Sequence, residues 1–326
     1  MNLIRFLKKT ILLLSCMLLA CSLVSCKGIE ITGKTEDVAG YTEAESMIVV
    51  GSERNRYRQI FGDTIWDLPL EGQQEDTYGA YFIAKSREFL QNVKTLNMLA
   101  EEKGIIATST EMESIRNISH TFFQSLSAED IAMMGNCTES DVVSMYTEYF
   151  VACKTAEYLL SNVNSEISDA DAKIIEVQQI VTSDAELAKK LLQDVNVSGA
   201  NFAYYAGQYS EDPEINVTLA KSEQDNAYYD AAFQLEQNEI SDIIEMDGKY
   251  YILKCVNAYD EEATLARKQR LEASIRTTAF DKSFGDYSGQ HIIRFREPFW
   301  KTIDLKAHPD STASNFFSLF DENIKL

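Results

Sequence analysis

The chain has 326 residues, 51 of them acidic against 30 basic, for a formal charge of −21. That balance disfavours a nucleic-acid partner, whose phosphates select basic surfaces. His120, His291 and His308 are isolated, the six cysteines lack a Cys-x-x-Cys spacing and there is no glycine-rich phosphate loop, so neither a metal nor another cofactor is expected.

Arg5, Lys8 and Lys9 precede an almost wholly apolar run over residues 11–24. The run is short for a membrane span and ends in small residues and cysteine. Leu23-Val24-Ser25-Cys26 reads as a bacterial lipobox, which makes residues 1–25 a lipoprotein signal peptide and Cys26 the lipidated N-terminus of the mature chain. Leu18-Leu19-Ala20-Cys21 is the second candidate, and an uncleaved signal anchor is the alternative. Two acyl chains on Cys26 would supply stable anchoring and imply an extracytoplasmic, membrane-anchored lipoprotein of a bacterium. Beyond residue 26 the chain keeps 27 bases against 51 acids, a charge of −24. Such a body stays soluble and could attract basic unfolded clients. Cys137, Cys153 and Cys255 remain; a Cys137–Cys153 bridge is left open by the sequence, and Cys255 reads as a small core residue.

Residues 76–103 carry a helical pattern that stops at Gly104, a good left-handed cap. Thr108-Ser109-Thr110-Glu111 is a capping box. Thr138-Glu139-Ser140-Asp141 is its acidic variant and opens a helix expected to reach about Val163. Residues 165–171 are short, polar and acidic, a natural boundary. Ile175, Val177, Gln179 and Val181 then alternate on one face of a strand. Ser183-Asp184-Ala185-Glu186 reads as another capping box, followed by Leu187, Leu191, Leu192 and Val195 at helical spacing. Asp247-Gly248, between β-rich runs over 240–246 and 249–257, predicts a tight hairpin. Residues 258–284 predict a helix with acids at its start and Lys and Arg from Arg267 onward, which complements the helix dipole. Residues 294–305 have strand character, and the aromatic motif over 315–320 has no assignment.

Four segments resemble the parvulin-type peptidyl-prolyl isomerases, in that family's order and over about a quarter of the chain. They are Glu176-Val177-Gln178-Gln179-Ile180-Val181; Phe202-Ala203 with Tyr209-Ser210-Glu211-Asp212-Pro213; Tyr229-Asp230-Ala231-Ala232-Phe233-Gln234-Leu235 with Glu239-Ile240-Ser241-Asp242; and Gly248-Lys249-Tyr250-Tyr251-Ile252-Leu253-Lys254. More loosely, Leu99–Ile105 followed by Thr108 and Glu111 resembles the helical N-terminal region of PrsA- and SurA-like foldases. The resemblance implies an α+β chain with a small parvulin-like α/β domain (171–257) inserted between helical segments of a chaperone-like domain. Those segments are 26–170 and 258–326, the latter packing on the former.

The same resemblance implies the site. Leu219, Tyr228 and Phe233 would line an apolar pocket for proline, each also explained as ordinary packing. Asp212 would face the rotating carbonyl, or merely cap its turn. Gln179 and Tyr250 would replace the family's two histidines, with Tyr250 as Gln179's partner across the sheet. The family's Gly-Gly-x-Leu-Gly turn is here Val217-Thr218-Leu219-Ala220, which makes Leu219 the loosest assignment. The implied function is an anchored foldase with peptidyl-prolyl cis-trans isomerase activity, acting on unfolded or proline-containing secreted polypeptides. A non-catalytic holdase with a degenerate isomerase domain is the alternative, and a surface lipoprotein with an unrelated binding role a third. Phe122, Phe123, Met133, Met134 and Met145 could line a client cleft, although helical core accounts for most of them.

Overall fold

The computed structural model describes residues 34–71, 75–221, 226–295 and 298–326, with 34–38 as backbone alone. Cys26 and the apolar run before it lie outside the described residues. Among those described, no helix is long and apolar enough to cross a membrane. The chain divides into two compact units: one runs to Val163 and resumes at Ala279, the other is Asn164–Thr278.

The first unit starts with strand β1 (Lys34–Val38) and helix α1 (Glu43–Phe61). Thr42 caps α1 by accepting from the Glu45 N–H, and the Glu45 carboxylate accepts in return from the Thr42 N–H at 2.8 Å. Helix α2 (Tyr78–Lys103) stops at Gly104, whose φ of 67° is the left-handed cap expected of it. Helix α3 (Ser109–Ser125) opens on the Thr108–Glu111 box, α4 (Ala128–Met133) is short, and α5 (Glu139–Leu160) opens on Thr138 and Asp141. Phe122, Met133, Met134 and Met145 are buried in the core these helices share, and Phe123 packs against it.

The second unit begins with α6 (Asp169–Ala172) and contains β2 (Ile174–Thr182), α7 (Ala185–Val195), α8 (Phe202–Tyr209), β3 (Asn216–Ala220), α9 (Ala227–Gln234), β4 (Ile244–Met246) and β5 (Lys249–Asn257). Its strands form one antiparallel sheet in the order β3-β2-β5-β4. Asp247 and Gly248 join β4 to β5 with φ of 51° and 74°, the two positive values a tight hairpin turn demands. Pairing of β4 is shorter than the sequence suggested: Ile240 makes only an isolated bridge to Lys254. Each face of the sheet buries its own cluster. Ile180 and Ile252 pack with Leu191 and Val195 of α7 and Phe202 and Ala206 of α8; Ile175, Val177 and Leu253 pack with Leu219 and with Tyr228 and Ala232 of α9.

The start of α7 corrects the sequence reading. Asp184, not Ser183, caps it, accepting from the N–H groups of Glu186 and Leu187. Ser183 is claimed elsewhere: its N–H and hydroxyl donate to Glu211 at 2.8 and 2.7 Å.

After β5 comes α10 (Glu261–Ser288), in which Thr264 and Arg267 are buried. Thr264 accepts from the Ile174 N–H, and Arg267 donates to the carbonyls of Asp171 and Lys221. The first unit then resumes. Strand β6 (His291–Phe295) pairs in parallel with β1, so strand structure ends ten residues earlier than residues 294–305 suggested. A 3-10 turn (Pro298–Lys301) and an irregular segment lead to α11 (Phe316–Asn323), which accounts for the aromatic motif. Phe316 stacks on Tyr146 with centroids 4.1 Å apart, and Phe320 meets Tyr149 at 4.8 Å. The irregular segment has no core of its own. It is held by α1, whose Arg54 is fully buried and donates to the carbonyls of Leu305 and Ala307 at 2.8 and 2.6 Å.

Cys137, Cys153 and Cys255 are free thiols. Burial pushes Cys137 up to about 11 and Cys153 up to about 12, so neither carries appreciable thiolate at neutral pH.

Candidate functional site

The site grows from Gln179, a polar residue on an otherwise apolar strand face and only 6% exposed. A buried amide there needs partners, and it has three. Its Oε1 accepts from the Tyr228 hydroxyl at 2.8 Å. Its Nε2 donates to the Glu214 carbonyl at 2.7 Å and, at 3.4 Å, to Asp212 Oδ2. A carbonyl and a carboxylate can only accept, so the amide orientation follows from chemistry. The Gln179 backbone N–H adds a bond to the Ile215 carbonyl at 2.9 Å.

These bonds tie the loop over 210–215 to β2. The Ser210 hydroxyl accepts from Val181 N–H at 3.1 Å and from Asp212 N–H at 3.2 Å, and Glu211 N–H donates to the Val181 carbonyl at 2.7 Å. Asp212 Oδ1 accepts from Glu214 N–H at 2.9 Å, a side-chain turn that Pro213, lacking an N–H, cannot disturb. Each carboxylate oxygen of Asp212 is thus held, one by its own loop and one by Gln179.

Helix α9 supplies the opposite wall. Asn226 caps it by accepting from Tyr229 N–H at 3.0 Å. Tyr228 is buried, with the edge of its ring against Tyr251 at 5.4 Å. Burial holds the Tyr228 hydroxyl well above the usual tyrosine range, helped by Tyr229, Tyr251, Asp212 and Glu214, so it remains a donor. Leu219 is buried in the same cluster, and Phe233 packs partly exposed against it, with the Lys221 ammonium 5.0 Å from its ring centre. Leu219, Tyr228 and Phe233 therefore share one apolar wall, with Gln179 and Asp212 at its polar edge.

Tyr250 does not join them. It pairs with Thr182, whereas the residue opposite Gln179 is Leu253. Alternation sends Leu253 and Tyr251 to the Gln179 face and Tyr250 to the other. The two-residue turn at Asp247-Gly248 sets the register of β4 with β5, with Met246 opposite Lys249. Gln179's partner is Tyr228, and the tyrosine of β5 near it is Tyr251. Sequence reasoning also passed over Glu214 and Ser210, whose roles depend on a backbone carbonyl and on a loop path that no local pattern announces. Among the described residues no cluster of His, Cys, Asp and Glu could hold a metal ion.

A four-stranded antiparallel sheet, helices on both faces and this walled edge define a small α+β unit. Residues 158–259 match the family model described as the PPIC-type PPIASE domain, so this stretch of the chain is a parvulin-type peptidyl-prolyl isomerase domain. Over 130 residues it is 29% identical to Foldase protein PrsA 4 of Bacillus cereus, a match covering 35% of this chain and 45% of that protein. The chain thus matches less than half the length of this curated relative. Among solved structures it is similar to a peptidylprolyl isomerase (PrsA) of Bacillus cereus, at 17% identity and TM-score 0.34, covering 79% of this chain and 98% of that one. Foldase protein PrsA of Streptococcus pneumoniae is similar at 18% identity and TM-score 0.27, covering 73% and 98%.

Proposed function

We propose that this protein is a foldase that accelerates cis-trans isomerisation of X–Pro bonds in unfolded polypeptides. The match of residues 158–259 to the PPIC-type PPIASE domain carries the proposal. The barrier to be lowered is about 20 kcal/mol, set by the partial double bond of the amide. No covalent intermediate is needed. Leu219, Tyr228 and Phe233 would hold the proline ring, and Asp212 would stabilise the twisted amide electrostatically.

The proposal extends to location and clients. Cys26 is the proposed lipid attachment point after removal of residues 1–25, and secreted polypeptides outside the cytoplasm are the proposed clients. The basic start, apolar run and Leu23-Val24-Ser25-Cys26 support this. Intact mass of the membrane-extracted protein tests it: any other N-terminus, or no acyl mass, refutes the anchor.

A holdase is the second reading. It is favoured by the lack of a histidine in the walled edge and by an amide at Gln179 with both protons engaged within the protein. A proline-peptide isomerisation assay separates the two. Acceleration that Asp212→Ala abolishes supports the enzyme; a silent wild type that still suppresses aggregation of an unfolded client supports the holdase.

A further inference from the structure

We propose that Tyr228 and Gln179 are positioning residues: a buried, non-titrating pair that holds the loop over 210–215 and sets the orientation of the Asp212 carboxylate. The inference rests on the isomerase reading for its catalytic consequence, but not for its structural one.

The bonding pattern leads to it. Both donor sites of the Gln179 amide are taken, by Glu214 and Asp212, and its oxygen accepts from Tyr228. No donor remains for a bound peptide and the side chain is buried, so Gln179 acts through what it holds. It holds the loop twice, by its side chain to Glu214 and Asp212 and by its backbone to Ile215. Tyr228 orients the amide. With its hydroxyl donating to Oε1, the amide nitrogen must face the loop; without it, the amide could rotate and present an acceptor to the Glu214 carbonyl. Tyr228 is itself fixed, by burial and by the edge-on contact with Tyr251. A tyrosine and a glutamine, unlike imidazoles, keep these roles at every pH between 5 and 8.

Simple burial of a satisfied glutamine would produce the same distances, so the test needs readouts that packing alone does not move. Tyr228→Phe in the full chain removes one hydroxyl and keeps the ring. Backbone amide exchange over 210–215, and at the Gln179 and Val181 N–H groups that bond to this loop, should speed up about three- to tenfold, the worth of one such bond, while exchange in β5 and in the rest of β2 stays unchanged. In the proline-peptide assay the variant should lose a similar factor in kcat with KM little altered. Gln179→His is the second variant. As a neutral ring it can accept from Tyr228 and donate to the Glu214 carbonyl; as a cation it cannot accept. Facing Asp212, Glu214, Tyr228 and Tyr251, it should make both loop protection and kcat change as pH drops through its titration, because the cation reverses the Tyr228 bond and lays a positive charge beside Asp212, where the wild type shows no such step. Unchanged loop exchange in Tyr228→Phe, or no pH-dependent change in loop protection in Gln179→His, overturns the pair. A wild type silent on proline peptides sinks the isomerase reading alone, and the exchange measurements then decide the positioning pair by themselves.

Discussion

Asp130 accepts a hydrogen bond from the Ser311 hydroxyl at 2.9 Å, across 181 positions of sequence. The same oxygen accepts from the N–H groups of Thr312 and Ala313 at 2.7 and 2.9 Å. Burial alone would raise the carboxyl pKa, but the bonds from Ala313, Ser127 and Ser311 outweigh it and lower it from 3.8 to about 2. Because the folded value lies below the unfolded one, the stabilisation is complete above pH 4 and is lost as pH falls toward 2. Chemical denaturation of the helical unit should show a decline of about 2 kcal/mol over that window. Asp130→Ala should cost about 3 kcal/mol at pH 7, since two backbone donors lose their acceptor, and should remove that part of the acid dependence.

Phe316 offers a test of how the C-terminal segment is held. Its ring is fully buried, lies 6° from parallel with Tyr146, and its carbonyl accepts from the Tyr146 hydroxyl at 2.8 Å. Phe316→Ala keeps the carbonyl and empties the stack. It should destabilise the helical unit by about 3–5 kcal/mol, measured by urea titration followed with signals from that unit.

Two glycines should respond oppositely to the same change. A Cβ at Gly248 or at Gly285 would meet nothing within 4 Å, so neither substitution clashes. Gly248 has φ of 74°, where alanine is strained, and Gly248→Ala should cost the sheet unit about 1–2 kcal/mol. Gly285 lies within α10, and Gly285→Ala should stabilise by about 0.5–1 kcal/mol. Melting curves of the two variants give both signs directly.

The neighbouring tyrosines of β5 should separate as cleanly in the isomerisation assay. Tyr251→Ala removes the ring that abuts Tyr228 and should lower kcat/KM up to about tenfold. Tyr250→Ala acts on the opposite face and should leave the rate within about twofold, provided the fold holds. The Tyr228 hydroxyl, held above the usual range by burial, should contribute no loss of activity on the alkaline side up to about pH 10.

Features encoded within a few residues were legible in the sequence. The Thr108–Glu111 and Thr138–Asp141 caps, the stop at Gly104 and the Asp247-Gly248 turn stand where their residue types place them. Each is a bond or a backbone angle that the residue decides with its neighbours. Helix α1 escaped because its buried positions include Ser46, Ser52, Glu53, Arg54 and Asn55, so no apolar stripe marks it; Thr42 and Glu45 were the signal available. Ser183 escaped as well, because Glu211, 28 residues later, claims the hydroxyl that would have capped α7.

In the candidate site, the sequence by itself determined the residue types: a polar Gln179 on an apolar strand, an Asp212-Pro213 turn, and the side chains of Leu219, Tyr228 and Phe233. Tertiary structure decided who meets whom. Alternation along a strand has a period of two residues, so a shift of one position exchanges the faces. Which of Tyr250 and Tyr251 looks toward Gln179 therefore follows from the pairing of β5 with β2, and from nothing local to either tyrosine. The partner Gln179 takes instead, Tyr228, comes from a helix 49 residues away, brought within 2.8 Å only when that helix lies on the sheet.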